Sequence, residues 1–173
     1  MVGVAASCDI CEIVEGQLRD QLRDPESLLR PQSEWPLTLP KAKTMLADQK
    51  EWLPLANLMW ERDLCLWLPK ALIFAPYGDP MVSGLFGVSK GKDVPGHPGH
   101  CQQRLICNLV PSNAFFYPIR GDVDHLPYIV QWTSIVLLDN EVLVVSQEDM
   151  TCAFYFFRLP SAWCPYFAIG LPI

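Results

Sequence analysis

The sequence predicts an α+β fold in which a helical N-terminal part precedes a region of short β-strands. In the first part, apolar residues recur at helical spacing with charged and amide residues between them. After Pro69 the apolar residues form short runs separated by Pro, Gly and Asp, which is typical of strands joined by turns. Half of the 173 residues are hydrophobic, so the chain has enough apolar surface to build a core.

Two helices are predicted in the N-terminal part. The first covers residues 9–24, and Pro25 would end it because proline lacks the N–H that a continuing helix needs. Residues 25–40 contain four prolines and are predicted to form an extended linker or arm. The second helix is predicted over residues 41–62, with Pro54 kinking or dividing it. Its buried side would be formed by seven apolar residues, namely Met45, Leu46, Trp52, Leu53, Leu55, Leu58 and Met59.

The β-type runs lie in the second part of the chain. Residues 134–138 and 141–146 are predicted to form a β-hairpin around Asp139-Asn140, or alternatively one longer strand with a polar break. Residues 151–158 are predicted to make two helical turns that end at Pro160. The remaining predicted strands cover residues 71–75, 85–88, 104–109 and 166–169.

The charge of the chain argues against a protein with one large basic surface. Its net charge is −6, whereas a protein that binds nucleic acid on its own usually carries a basic face. One stretch, residues 90–104, is locally basic. It contains Lys90, Lys92 and Arg104, and only Asp93 opposes them.

The cysteines and the hydrophobicity pattern restrict the expected compartment. Seven cysteines at irregular spacings do not suggest a disulfide framework and fit a reducing compartment better. No secretory signal is recognised at the N-terminus, and no apolar stretch reaches the ~20 residues that a membrane-spanning helix needs. The predicted localisation is therefore intracellular, cytoplasmic or nuclear, without a membrane partner.

The segment after the apolar run 141–146 has residues in the order that a nucleotide-addition site requires. Phosphoryl transfer requires divalent metal ions, which carboxylates at a strand end can hold. Asp149 is placed to bind such an ion, and the backbone carbonyl of Met150 could bind the same one. Phe154 is placed to lie under an incoming sugar, where its ring would exclude a 2′-hydroxyl. The alternative for Asp149 is that it caps the helix predicted over residues 151–158.

Residues 146–160 resemble the first catalytic palm motif of reverse transcriptases, the RNA-directed DNA polymerases of retroelements. Members of that family often have an Asp, three further residues, Ala with an aromatic residue, and then Leu-Pro. The corresponding residues here are Asp149, Ala153, Phe154, Leu159 and Pro160. The resemblance implies that Asp149 is catalytic and binds Mg²⁺ together with Met150, and that Phe154 contacts a deoxynucleoside triphosphate.

A second segment resembles the fingers hairpin of the same family. A strand that ends in Lys90 leads into a turn, and the return strand begins at Arg104 and contains Ile106. The resemblance implies that Lys90 and Arg104 bind the triphosphate and that Ile106 packs on the templating base. The other matching residues are Phe86, Val88 and Asn113.

The resemblance covers residues 80–173 and implies the fingers and an incomplete palm of a right-hand polymerase fold. Residues 1–79 would form a separate helical region that includes the linker 25–40. Asn108 stands where many members have Asp, and the second palm motif, an aromatic residue followed by x-Asp-Asp, is absent from the sequence. Because one Asp cannot hold both metal ions, we predict a truncated domain that does not polymerise alone. An intact relative would bind a deoxynucleoside triphosphate and an RNA/DNA template-primer, and a partner chain could complete the palm here.

Two other functions are compatible with the sequence. The chain could be a non-enzymatic acidic interaction module that docks a partner helix on its two amphipathic helices. It could also be a small zinc-binding module, because Cys8-x2-Cys11 and His97-x2-His100-Cys101 have ligand-like spacing.

Overall fold

The computed structural model describes residues 5–42, 49–119, 133–145 and 153–170. Within these parts it has the predicted α+β composition, with short helices and two small sheets. The helices are α1 (Ile10–Ile13), α2 (Gly16–Arg23), α3 (Gln49–Glu61), α4 (Val110–Asn113) and α5 (Ala153–Phe156). The strands are β1 (Cys8–Asp9), β2 (Gly84–Val94), β3 (His97–Asn108) and β4 (Phe157–Arg158). Strand β1 pairs with β4 in parallel, and β2 pairs with β3 in antiparallel orientation.

The helix predicted over residues 9–24 is divided into α1 and α2. Val14 and Glu15 have extended backbone angles, and Gly16 has a φ of 58°, which a glycine adopts without steric cost. The side chain of Asp9 caps α1 by accepting a hydrogen bond from the N–H of Cys11. Helix α2 ends before Pro25, as predicted.

Residues 25–40 are packed against the rest of the protein, so the prediction of an extended linker was wrong. The chain forms two 3₁₀ turns, Pro25–Leu28 and Gln32–Glu34. The carbonyl of Leu28 accepts a hydrogen bond from the N–H of Tyr117 at 2.8 Å, and the N–H of Arg30 donates to the carbonyl of Phe115 at 2.8 Å. The prolines shorten the helical elements here, but they do not keep the segment out of the core.

Helix α3 begins later than predicted and is not divided. Residues 41–42 are not helical, and the predicted core residues Met45 and Leu46 lie outside the described residues. Pro54 is accommodated inside one continuous helix. Trp52, Ala56 and Met59 lie on one face and are buried, whereas Leu53 and Leu58, also predicted to be buried, are exposed.

The hairpin formed by β2 and β3 confirms the strands predicted over residues 85–88 and 104–109. Both strands continue through the segment predicted as a loop and meet at Pro95-Gly96. Gly96 has a φ of 79°, and Pro followed by Gly at the two central positions is the usual sequence of a type II turn. Most of the Pro, Gly and His residues of this segment therefore lie in strands.

The other predicted β-type runs have different structures. Lys70–Leu72 forms a 3₁₀ helix in place of the strand predicted over residues 71–75, and Ser161–Tyr166 forms another just before the run 166–169. Beyond it, Ile169 makes an isolated parallel bridge with Ser83. Residues 135–138 and 141–145 are not strands, although the predicted turn at Asp139-Asn140 is present. After α5 the chain enters β4, so the helix predicted over residues 151–158 is not helical to its end.

Two hydrophobic clusters join residues that are distant in sequence. We call the first the aromatic core; its buried members are Leu28, Met81, Phe115, Phe116, Trp163 and Tyr166. We call the second the helix–hairpin core; its buried members are Trp52, Ala56, Met59 and Leu85. Each cluster contains residues from both sides of the boundary predicted at residues 79 and 80. That division into two regions stays a prediction.

No helix in the described ranges is long and apolar enough to cross a membrane.

Candidate nucleotide-binding site

The pairing of β2 with β3 determines which side chains of the hairpin face outwards. Phe86 pairs with Ile106 and Val88 pairs with Arg104, so these four residues lie on one face of the two-stranded sheet. The other face carries Leu85, which is buried in the helix–hairpin core. Because Leu85 fixes the inner face, Arg104 and Ile106 point away from this core. Ile106 is 37% exposed to solvent.

Lys90 lies just beyond the last regular pair of the hairpin. Ser89 pairs with Gln103, and the register then shifts before Asp93 pairs with Cys101. Gly91, with a φ of 68°, lies inside this irregular part. A β-bulge of this kind bends a strand and changes the direction of its side chains. The structure thus places Lys90 at the point where β2 departs from regular geometry.

The outer part of the hairpin carries accessible positive charge. Lys90, Lys92 and Arg104 are exposed, and within the described residues none of them forms an ion pair. The single carboxylate of this stretch, that of Asp93, accepts a hydrogen bond from the N–H of Gly99 at 3.0 Å. Exposed cations that are not paired with carboxylates are available to bind an anionic ligand.

A hydrogen bond joins the hairpin to the segment that resembles the palm motif. The hydroxyl of Tyr155, in α5, donates to the carbonyl of Leu105 at 3.0 Å. Leu105 lies between the predicted site residues Arg104 and Ile106, and Phe154 directly precedes Tyr155. The two motif-bearing segments are about 50 residues apart in sequence, yet this bond joins the side chain of Tyr155 to the backbone of β3.

The remaining predicted site residues are only partly described. Asp149 and Met150, predicted to bind metal, lie outside the described residues. Phe154 lies in α5. The structure therefore brings α5 to the hairpin and leaves the metal site as a prediction.

Sequence reasoning did not identify Tyr155 as a site residue. Residues 154–157 are four consecutive aromatics, and this pattern predicts core packing for most of them. No pattern in the sequence indicates that the hydroxyl of the second aromatic residue, Tyr155, reaches a carbonyl in β3. The ion pair between Asp9 in β1 and Arg158 in β4, at 3.6 Å, was also missed, because it depends on the pairing of these two distant strands.

The residues of the alternative zinc site do not come together. Among the residues whose placement is described, no three His, Cys, Asp or Glu side chains form a group that could hold a metal ion. His97 and His100 approach each other at the turn end of the hairpin, with ring centroids 6.0 Å apart. Cys8 instead lies in β1, and Cys11 lies in α1, where it is buried.

In comparisons with protein-family models, with curated proteins and with solved structures, nothing matches this chain. The relation to reverse transcriptases therefore depends on the motif resemblance alone.

Proposed function

We propose that the chain is a reverse-transcriptase-like protein whose hairpin and α5 segment bind a deoxynucleoside triphosphate with Mg²⁺. Lys90 and Arg104 would contact the triphosphate, and Ile106 would lie against the templating base. Asp149 and the Met150 carbonyl would hold the metal ion, and Phe154 would exclude ribonucleotides. The ancestral reaction is template-directed DNA synthesis from an RNA/DNA template-primer.

The hydrogen bond between Tyr155 and Leu105 is the observation that supports this proposal most. The resemblance requires two segments that are distant in sequence to border the same ligand. One of them carries Arg104 and Ile106, and the other carries Phe154. The Tyr155 bond joins the immediate neighbours of these residues, and the triphosphate-binding cations lie on the exposed part of the same hairpin.

Only one palm carboxylate of the family pattern is present in the sequence, so the proposal is restricted to binding. Two-metal phosphoryl transfer needs carboxylates for both ions. We expect no primer extension by this chain alone. Synthesis would require an aromatic-x-Asp-Asp segment in addition to the residues of this sequence.

Titration with a deoxynucleoside triphosphate and Mg²⁺, measured by isothermal calorimetry, tests the proposal. Lys90→Ala and Arg104→Ala should each weaken binding about 10- to 100-fold, because a hydrogen bond to a charged group contributes roughly 1.5–3 kcal/mol. Lys92→Ala is the matched control. It removes one positive charge from the same hairpin, but from a position that the family motif does not use.

The result that contradicts the proposal is equal affinity of the wild type, Lys90→Ala and Arg104→Ala. Equal losses in these two variants and in Lys92→Ala would indicate unspecific attraction of an anion instead. Two further variants separate the roles of the palm-like segment. Asp149→Asn should remove the dependence of binding on Mg²⁺, and Phe154→Ala should let ribonucleoside triphosphates bind as well as deoxynucleoside triphosphates.

One observation favours the alternative of an interaction module. Leu53 and Trp60 lie two turns apart on α3 and are 43% and 50% exposed. An amphipathic helix with apolar residues on its outer face is suited to dock a partner helix. A protein that binds no triphosphate, and that loses a helical partner on Leu53→Glu, would favour this function over nucleotide binding.

A further inference from the structure

We propose that residues 5–9, which we call the N-terminal strap, position α5 against the hairpin, with Ala6 and Asp9 as positioning residues for the nucleotide site. This inference rests on the proposed function, because it concerns how that same site is held in place. The strap belongs to the part of the chain that the family resemblance does not cover. Its role follows from its contacts alone.

The backbone of the strap is bonded to α5 and to the strand that follows it. The N–H of Ala6 donates to the carbonyl of Tyr155 at 2.8 Å. Strand β1 then pairs in parallel with β4, with Cys8 next to Phe157 and Asp9 next to Arg158. These contacts involve three of the four residues that directly follow Phe154.

The carboxylate of Asp9 makes two contacts that fix the end of the strap. Its Oδ1 accepts a hydrogen bond from the N–H of Cys11 at 2.9 Å, which caps α1. Its Oδ2 lies 3.6 Å from Nη2 of Arg158, in β4. Because Cys11 is buried, α1 is fixed in the protein. Asp9 contacts both α1 and β4, so it holds β4 in place relative to α1.

Tyr155 is held from both sides. Its carbonyl accepts the hydrogen bond from the strap, and its hydroxyl donates to Leu105 in the hairpin. One residue therefore connects the strap, α5 and the strand that carries Arg104 and Ile106. A displacement of the strap would shift the backbone next to Phe154 relative to these two residues.

The backbone of Ala6 indicates that the strap is constrained. Its φ is 52°, in the left-handed region that residues other than glycine rarely adopt. Such a conformation persists only when the surrounding structure determines it. Here the preceding residue, Ala5, is buried, and the N–H of Ala6 itself is bonded to Tyr155.

Substitutions at Ala6 test the strap with a matched pair. Ala6→Pro removes the N–H that binds Tyr155, and it requires a φ near −65° that conflicts with the observed value. Ala6→Gly keeps the N–H and fits a positive φ. We expect Ala6→Pro to weaken binding of a deoxynucleoside triphosphate with Mg²⁺ about tenfold, which corresponds to 1.4 kcal/mol. Ala6→Gly should bind as the wild type does.

Hydrogen exchange provides a readout that does not depend on nucleotide. We expect the amides of residues 155–158 to lose protection in Ala6→Pro and to keep it in Ala6→Gly. If the wild-type chain binds no triphosphate, the proposed function fails, whereas the exchange experiment still decides whether the strap holds α5.

Tyr155→Phe keeps the test decisive if Ala6→Pro does not fold. It removes the hydroxyl bond to Leu105 and keeps the backbone bond to Ala6, and it should weaken triphosphate binding about fivefold, because one hydrogen bond contributes roughly 1 kcal/mol. A folded Ala6→Pro variant with wild-type affinity and wild-type protection at residues 155–158 would overturn the inference. So would wild-type affinity in Tyr155→Phe, since α5 would then not need its bond to the hairpin.

Discussion

The aromatic core and residues 135–145 are both rich in large apolar side chains, yet they differ completely in burial. Phe115 and Met81 of the aromatic core have no exposed surface, whereas Val136 and Val144 are 84% and 85% exposed. The core residues come from segments that are distant in sequence, and ring contacts join them. Trp35 meets Phe115 at 5.5 Å between centroids, and Phe116 meets Tyr166 at 5.1 Å.

The contacts made by the backbone explain the difference. The segments of the aromatic core are cross-linked by hydrogen bonds such as that from Ser112 Oγ to the carbonyl of Tyr166 at 2.7 Å. The exposed segment is organised around the turn at residues 139–140, where Glu141 and Leu138 bond to each other. Apolar composition thus leads to burial where other segments supply complementary surfaces. The following predictions test that explanation, beginning with the largest expected effect.

Truncation of a core ring should cost far more stability than truncation of an exposed apolar side chain. We expect Phe115→Ala to lower the free energy of unfolding by about 3–5 kcal/mol, because it removes a fully buried ring and leaves a cavity. Val144→Ala should change it by less than about 0.5 kcal/mol. Urea denaturation followed by tryptophan fluorescence measures both. Similar losses in the two variants would show that residues 135–145 are buried in solution and that the comparison is wrong.

A methyl group added at Gly170 should also distinguish a packed region from an open one. Gly170 has a φ of 106°, and a Cβ there would overlap the indole ring of Trp52 in the helix–hairpin core. We expect Gly170→Ala to cost about 2–4 kcal/mol, since backbone strain and overpacking add. At Gly96 the φ is also positive, but no atom lies near the added methyl. Gly96→Ala should therefore cost only about 1–2 kcal/mol by the same denaturation measurement. Equal losses would mean that Trp52 moves aside freely.

The hairpin was predictable because its sequence signals agree with its packing. The apolar runs around Leu85 and Ile106 have strand character, and Leu85 does contribute to a core. The length of the hairpin was not predictable, because Pro, Gly and His between residues 95 and 100 are typical of loops. Only Pro95-Gly96 forms the turn, and the other residues continue the strands.

The Pro-rich segment shows the opposite case, in which a strong local signal was misleading. Four prolines in residues 25–40 predict extension, but Leu28 and Trp35 have partners in the aromatic core. These partners come from segments around residues 74 and 115, and no local pattern reveals such distant contacts. Tertiary packing therefore decided the structure of this segment.

The candidate site could be predicted in part for the same reasons. Arg104 and Ile106 lie on strand β3, and Lys90 lies on β2, as the motif resemblance implies. Their proposed ligand stays a prediction. The bond between Tyr155 and Leu105 was not predictable, because it depends on how α5 is placed relative to the hairpin, and Asp149 lies outside the described residues.

The smallest expected effect concerns a buried aromatic hydroxyl and its dependence on pH. Burial, and after it the nearby Glu26 carboxylate, raises the pKa of Tyr166 above its ordinary value of 10.0. Above that value the unfolded chain has released this proton while the folded chain still holds it, so stability decreases as pH rises. The contribution of Tyr166 is fully present below pH 10 and is lost as pH rises through the folded pKa.

Removing the Tyr166 hydroxyl should reduce the loss of stability at alkaline pH. We expect the free energy of unfolding of Tyr166→Phe to fall less steeply than that of the wild type as pH rises above 10. Tyr117→Phe is an instructive control, because the pKa of Tyr117 is also raised, chiefly by its hydrogen bond to Glu34, but this residue is exposed and solvent weakens the effect. Urea denaturation at several pH values gives both slopes. If Tyr166→Phe kept the wild-type slope while Tyr117→Phe reduced it, the burial of Tyr166 in the aromatic core would not be the source of the pH dependence.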